Sequence, residues 1–274
     1  MNTLNRKQQA QVIAALVEGK SVRATCRMTS VAKGTALRLL REIGTACAAY
    51  QDTALRGLPC RRIQCDEVWA SHAQEKNVPD QHKGEWGFGD VWTWVALDAD
   101  TKLVPCWYLG RRDAADASVF IANLADRLKH RIQLTTDGHA AYLDAVEGTF
   151  GYNVDYAMLI KMYGAEPEKE VRYSPAMCIG ASAKVVEGNP DPALISTSFV
   201  ERQNLTMRMQ MRRFTRLTNA FSKKVENLGY ALALHFMHYN FCRVHKTVKM
   251  TPAMAAGVAD HVWSVGEIVA LLPN

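Results

Sequence analysis

The order in which strand-like and helix-like segments follow one another limits the fold of this chain more than any other feature. From residue 60 onward, "RRIQCDEVWAS" has the texture of a strand, rich in β-formers around one acid, Asp66. A loop holding Pro79, Gly84, Gly87 and Gly89 follows, and then "DVWTWVALDADTKLVPCWYLG" reads as two strands around a turn at Asp98-Ala99-Asp100. Trp92 and Trp94 fall on one face of the first of these strands, as packing residues do. "DAADASVFIANLADRLKH" has helical periodicity, with Val119, Phe120, Leu124 and Leu128 apolar. "RIQLTTDGHAAY" is a strand entering a turn and a helix, and "YNVDYAMLI" is a further strand. Strand, hairpin, helix, strand, helix, strand predicts an α/β fold, a mixed sheet flanked by helices.

The flanks differ in texture. Residues 5–49 predict three short helices: Ala10, Val12, Ile13, Leu16 and Val17 form an apolar stripe ended by Gly19, Ser21 caps a second helix, and Thr29-Ser30 caps a third. A short turn between the second and third helices is what a helix-turn-helix needs, and it leaves Lys33, Thr35 and Arg38 on the polar side, near the part that meets base edges. A plain three-helix cap is the alternative. Residues 164–195, with Pro167, Pro175, Pro190 and Pro192, predict an irregular insertion or hairpin, followed by helices over roughly 196–217 and 221–243. The expected organisation is a helix-turn-helix domain over 1–55, an α/β domain over 60–245, and a tail over 246–274.

No run approaches the roughly 20 apolar residues of a membrane span, and Met1 to Lys20 holds no signal-like apolar block, so a cytoplasmic location is expected. Seven scattered cysteines without a CxxC pair suggest neither a disulfide framework nor a zinc ribbon. The net charge of +6 is unevenly spread. Residues 1–62 hold eleven Lys and Arg against three acids, residues 63–160 eight against fifteen, and residues 161–274 fourteen against nine. An acidic middle between basic ends suits metal ions at the centre and phosphates at the flanks, although uneven surface charge alone decides nothing.

Phosphodiester cleavage needs an activated oxygen nucleophile and stabilisation of the departing oxygen, which two Mg²⁺ ions about 3.5–4 Å apart supply. Hard cations take carboxylates held on rigid elements. Asp66 lies mid-strand among apolar neighbours, a costly place without a cation or hydrogen-bond partner. Asp137 sits where an apolar strand ends, although Asp-Gly is also a common turn. Glu201, in "STSFVERQNLTMRMQMRRF", shares a helix face with Asn204 and Arg208; taken singly it reads as a solvated surface acid. Arg202, Arg208, Arg212, Arg213 and Arg216 surround it, with Lys223 and Lys224 beyond, an excess of bases suited to a DNA backbone. Glu67 competes with Asp66 as a ligand, and strand alternation should turn it to the opposite face.

In combination these segments resemble a known family. "QCDEVW", "TTDGHAAY" and "SFVERQNLTMR" look like the three signatures of insertion-sequence transposases with a DDE triad. "YNFCRVHKTVKMTPAMAAG" is similar to the pattern that closes many such domains, and "TSVAKGTALRLL" resembles their helix-turn-helix segments. The insertion sequence 1 family is the nearest branch. The resemblance implies a ribonuclease-H-like fold and a triad of Asp66, Asp137 and Glu201 binding Mg²⁺ or Mn²⁺, as two ions. It also implies cleavage at element ends, then attack of the freed 3′-hydroxyl on target DNA. Arg208 matches a position where related enzymes carry a Lys or Arg, and His139 and His245 are candidate phosphate contacts. The implied partner is double-stranded DNA at element ends and target, bound by a homo-oligomer in a bacterial, nucleoid-associated setting. A catalytically degenerate regulator and a nuclease or resolvase that hydrolyses without joining are the competing functions.

Overall fold

The computed structural model describes residues 4–71, 78–164, 177–215, 222 and 224–273. Three N-terminal helices come first: α1 (Arg6–Val17), α2 (Val22–Thr29) and α3 (Lys33–Ala54). Asn5 opens α1 with a reciprocal capping box to Gln8, and the Ser21 hydroxyl accepts from the Ala24 N–H to open α2, as expected. The expected cap of α3 by Thr29-Ser30 is not made. Ser30 closes α2 in the left-handed conformation (φ 56°), the Thr29 hydroxyl donates back to the Thr25 carbonyl, and Ala32 precedes α3 without a side-chain cap. α3 also runs past residue 49 to Ala54.

That length lets α3 lie along a helix near the other end of the chain, α7 (Val225–Met237). Gly44 makes the approach close: a Cβ there would stand 2.6 Å from the Tyr230 Cα. The amide of Gln51 donates to the Ala233 carbonyl at 3.0 Å. Buried Arg127 caps the end of α3, donating to the carbonyls of Gln51 and Leu55 and to the Asp52 carboxylate.

The sheet has the expected mixed character. β1 (Arg62–Ser71), β2 (Asp90–Asp98) and β3 (Cys106–Gly110) form an antiparallel meander. On the other side of β1, β4 (Ile132–Asp137) and β5 (Val154–Gly164) run parallel to it, and β6 (Met177–Glu187) returns antiparallel along β5. The spatial order is β3-β2-β1-β4-β5-β6, a ribonuclease-H-like arrangement. α4 (Ala114–Ala125) and α5 (Ala141–Phe150) are the crossovers that parallel strands require. α4 buries Ala117, Phe120, Ile121 and Leu124; Val119, read as part of that stripe, is half exposed because it falls one residue off it.

Alternation along β1 assigns its two faces. Ile63 and Cys65 pack with Phe120, Leu124 and Tyr142 of α4 and α5, in a cluster continuous with Ile13 and Leu40 of the N-terminal helices. Val68 and Ala70 pack instead with Val200 and Met207 of α6 (Ser198–Gln210) and with Leu232 and Phe236 of α7. The helix expected over 196–217 ends early. Met211 is extended and a 3₁₀ turn over Arg212–Phe214 follows, which returns both Met211 and Phe214 to the core. Of the insertion expected near 164–195, residues 177–187 form β6, whereas Pro167 and Pro175 lie outside the described residues.

The closing segment is a fastening device. After α7 a wider π-type turn (His238–Cys242) presents Tyr239, whose hydroxyl donates to the Lys102 carbonyl at 2.9 Å. Asn240 pairs with both backbone groups of Val104 at 3.0 Å, like an added strand residue. Thr251 caps α8 (Pro252–Ala255), with Pro at the first helical position where its missing N–H costs nothing, and α9 (Val265–Ala270) packs against α1. No helix among the described residues is long and apolar enough to cross a membrane.

Candidate active site

The two central parallel strands part company at one place, and two of the acids stand there. β1 pairs with β4 only from Arg62↔Gln133 to Cys65↔Thr136. Asp66 and Asp137 are the next residues on each strand, so they face one another where the strands diverge and no neighbouring strand fills the gap. Ligand positions in open α/β sheets gather at such carboxyl ends. Asp137 Oδ1 accepts from the His139 N–H at 3.0 Å, a local turn bond. The turn reading and the site reading of this residue are therefore compatible.

The third acid comes from α6, and β1 itself seats that helix. Gln64, on the same face of β1 as Asp66, accepts from the N–H groups of Phe199 (2.9 Å) and Val200 (3.1 Å), satisfying donors that a helix N-terminus leaves open. One turn on, Asn204 donates to Asp66 Oδ2 at 2.7 Å, while Asp66 Oδ1 accepts from the Glu67 N–H at 2.9 Å. Glu201 lies between these anchors and lines the same cavity as Asp66 and Asp137. Its Oε1 accepts from the Thr197 hydroxyl and from the ammonium of Lys161 on β5.

Glu67 departs from expectation. Alternation does send it to the α5 face, beside the buried Tyr142 hydroxyl, but oxygens of Asp66, Glu67 and Asp137 all come within 4.8 Å of one another. The reason is the gap beyond Thr136, through which a carboxyl on either face reaches the same space. Glu67 Oε2 accepts from Arg112 Nε at 3.2 Å, and Arg112 also stands 3.6 Å from Asp137 with its guanidinium over the Trp92 ring.

This crowding has an electrostatic cost. Burial, then the charges of Asp137 and Glu201, push the Asp66 carboxyl from 3.8 up to about 7. Burial and Asp137 push Glu67 from 4.5 up to about 7. Asn204 Oδ1, next to Asp66, is buried with no hydrogen-bond partner among the described residues, while the Glu67 carboxylate has the Tyr142 hydroxyl beside it. An oxygen-only donor set, crowded negative charge and an unpartnered buried amide oxygen at Asn204 fit a hard divalent cation. The cavity lined by Asp66, Asp137 and Glu201 measures about 510 Å³ and is lined also by Arg112, His139, Lys161 and Tyr163, but not by Glu67.

The other candidate residues divide. His139 lines this cavity, its ring beside Trp94 and Tyr142, and burial followed by the Arg112 charge lowers its pKa. His245 does not line it; that ring accepts from the Thr247 N–H within the tail turn. Arg208 is half-buried two turns beyond Glu201, also outside the cavity lining. Arg212 and Arg213 line a second cleft together with Lys33. Arg38 lines a third, with Arg41 and Lys224, and pairs with Glu42 at 3.8 Å, while Thr35 is half-buried on the same helix. Arg216 and Lys223 lie outside the described residues. Lys161, Arg112, Gln64 and Tyr142 were not foreseen. A lysine ending the apolar run "YAMLI" on β5 is the one sequence signal that marks Lys161.

No protein-family model matches the chain, and neither does any curated protein. Among solved structures, the chain is similar to one in the simian T-cell lymphotropic virus intasome in complex with PP2A regulatory subunit B56 gamma. That match has 15% identity over 90% of this chain and 74% of the other, at a TM-score of 0.40. It is also similar to the Mos1 transposase paired-end complex with left transposon end (15% identity, 57% of this chain, 60% of the other, TM-score 0.23). A pre-cleavage Mos1 transpososome gives the same identity and coverage at a TM-score of 0.24. The chain spans about 60% of the length of these Mos1 chains.

Proposed function

We propose that the chain is a DNA transposase of a bacterial insertion sequence, cutting phosphodiesters at the element ends and joining the freed 3′-hydroxyl to target DNA. The observation that carries this reading is the convergence of Asp66, Asp137 and Glu201, from three separate elements, on one cavity. The family resemblance of the segments bearing those acids supports it, and the insertion sequence 1 branch rests on that resemblance alone.

In this reading Asp66, Asp137 and Glu201 hold Mg²⁺ or Mn²⁺, with Glu67 within reach of the same space. Divalent cations held there supply activation of the attacking oxygen and neutralisation of charge on the departing one. The chain's own residues do the positioning. Asn204 fixes the Asp66 carboxyl, Gln64 locks α6 onto β1, and Lys161 holds Glu201. Arg112, already beside Asp137, is placed to meet a phosphate oxygen at the cavity mouth. The partner is double-stranded DNA, and joining two ends calls for a homo-oligomer on that DNA, in the bacterial cytoplasm at the nucleoid.

Labelled duplex carrying the element ends, incubated with Mg²⁺ or EDTA, tests the reading. Metal-dependent nicking with strand joining, both lost in Asp137→Ala, is expected. Binding without cutting would replace it with a regulator, and cutting without joining with a nuclease or resolvase.

A further inference from the structure

A cleft of about 470 Å³ opens on the other side of α6, between its C-terminal end and the N-terminal helices. Lys20, Arg23, Lys33, Arg212, Arg213 and Lys224 line it, and among the described residues no Asp or Glu does. All but Arg213 are exposed, so the charge is presented to solvent, with no carboxylate among the described residues that line the cleft. The floor is apolar instead: half-buried Leu16, Val22 and Leu37 present carbon to the cleft, backed by the buried Leu40 and Leu234. His235 of α7 completes the lining at 5% exposure, and its Nε2 is buried with no hydrogen-bond partner among the described residues. Burial, with His238 and Arg243 nearby, lowers this imidazole to about 3, so it is neutral at physiological pH.

Such a cleft selects its ligand by two criteria at once. A cationic rim takes phosphate, and an apolar floor takes a flat, weakly polar body. A volume in the range of roughly 300–1,000 Å³ suits a group of small-molecule size. The backbone of an intact duplex would meet the rim and leave the floor in water, whereas one nucleotide of an unpaired strand satisfies both. We propose that this cleft binds an unpaired stretch of DNA strand, seating one nucleotide on its floor and the flanking phosphates on its rim. The proposal rests on the reading of the chain as a DNA-acting enzyme. Position gives it a consequence. The turn after α1 sits directly on the end of α6, where a Cβ at Gly19 would stand 2.6 Å from the Gln210 carbonyl oxygen. A strand in the cleft therefore touches the helix whose opening turns carry Glu201 and Asn204.

Fluorescence anisotropy in EDTA, where no strand is cut, provides the test. Blunt duplex and the same duplex with a short unpaired tail are titrated at several salt concentrations, with a nucleoside monophosphate as competitor. The tailed duplex is expected to bind about tenfold more tightly. Two further phosphates would steepen its salt dependence by roughly 1.4, at about 0.7 for each single-strand phosphate. Lys33→Ala combined with Arg212→Ala removes both differences, while Lys184→Ala on the exposed face of β6 keeps them; melting curves confirm that each variant is folded. Equal binding of tailed and blunt duplex, or a tail preference that survives the double substitution, overturns the proposal and leaves the functional reading standing. Competition by the free nucleotide without any tail preference overturns the strand assignment in favour of a free nucleotide. Failure of the wild type to bind either duplex removes the functional reading itself.

Discussion

A divalent cation bound in the acidic cavity should stabilise the folded chain, and should do so far more at pH 8 than at pH 5. Burial and the charges of Asp137 and Glu201 raise the Asp66 carboxyl from 3.8 to about 7. A rise of that size sets on the order of 4 kcal/mol against the ionised, metal-free form. Glu67 is raised to about 7 by burial and by the same Asp137, so the two titrate as a coupled group and their costs do not simply add. The sign follows from linkage. A folded pKa above the unfolded one favours the folded state fully below about pH 4, and that contribution is lost as pH rises through about 7. Metal-free protein therefore weakens across this window, and a cation that neutralises the carboxylates restores the loss. At a concentration one hundred times its Kd, the cation adds about 2.7 kcal/mol, which for a chain of this size raises Tm by roughly 5–10 °C. Scanning calorimetry with and without Mn²⁺ at both pH values is the assay. In Asp66→Asn, the metal-free protein should melt above the wild type at pH 8, equal it near pH 4, and show little response to Mn²⁺. A wild-type shift of equal size at pH 5 and pH 8, or a full shift in the variant, would refute the electrostatic account.

Three further outcomes follow from named contacts. Lys161→Met removes the cation that holds Glu201, so Mn²⁺ affinity measured by paramagnetic resonance should rise about tenfold while strand cleavage falls; a purely structural role would lower both. Asn204→Ala removes the donor 2.7 Å from Asp66 Oδ2 and should weaken Mn²⁺ binding by roughly 10–100-fold with the circular dichroism spectrum unchanged. Gly44→Ala forces a Cβ to within 2.6 Å of Tyr230 and should cost about 1–3 kcal/mol, read from the urea midpoint.

The strands were legible because their order and their β-forming runs are local signals. The acids Asp66 and Asp137 stood out for the same reason, one mid-strand and one at a strand end. What brings them together is not local. It is the register of β1 on β4, which stops at Cys65↔Thr136 and opens the gap both acids share. The same gap explains Glu67, because alternation within β1 says which face a side chain leaves from but not how close a neighbouring strand stands. Lys161 and Arg112 were missed because each meets an acid far away in sequence, Glu201 and Glu67 respectively. The early end of α6 was hidden for a related reason. "TMRMQMRRF" has good helix formers throughout, and only the burial of Met211 and Phe214 against the sheet breaks the helix. In the tail, Tyr239 and Asn240 fasten α7 to the Lys102–Val104 backbone and Thr251 caps α8, contacts that the sequence pattern alone did not assign.

The most direct test of the central claim is a crystal structure grown with Mn²⁺ and a short duplex bearing an element end, with anomalous scattering used to place the metal. The expected result is Mn²⁺ bound by carboxylate oxygens of Asp66, Asp137 and Glu201, with Glu201 released from its ion pair with Lys161 to reach the metal. Manganese bound elsewhere, or a DNA phosphate held away from this cavity while Glu201 stays paired with Lys161, would contradict it.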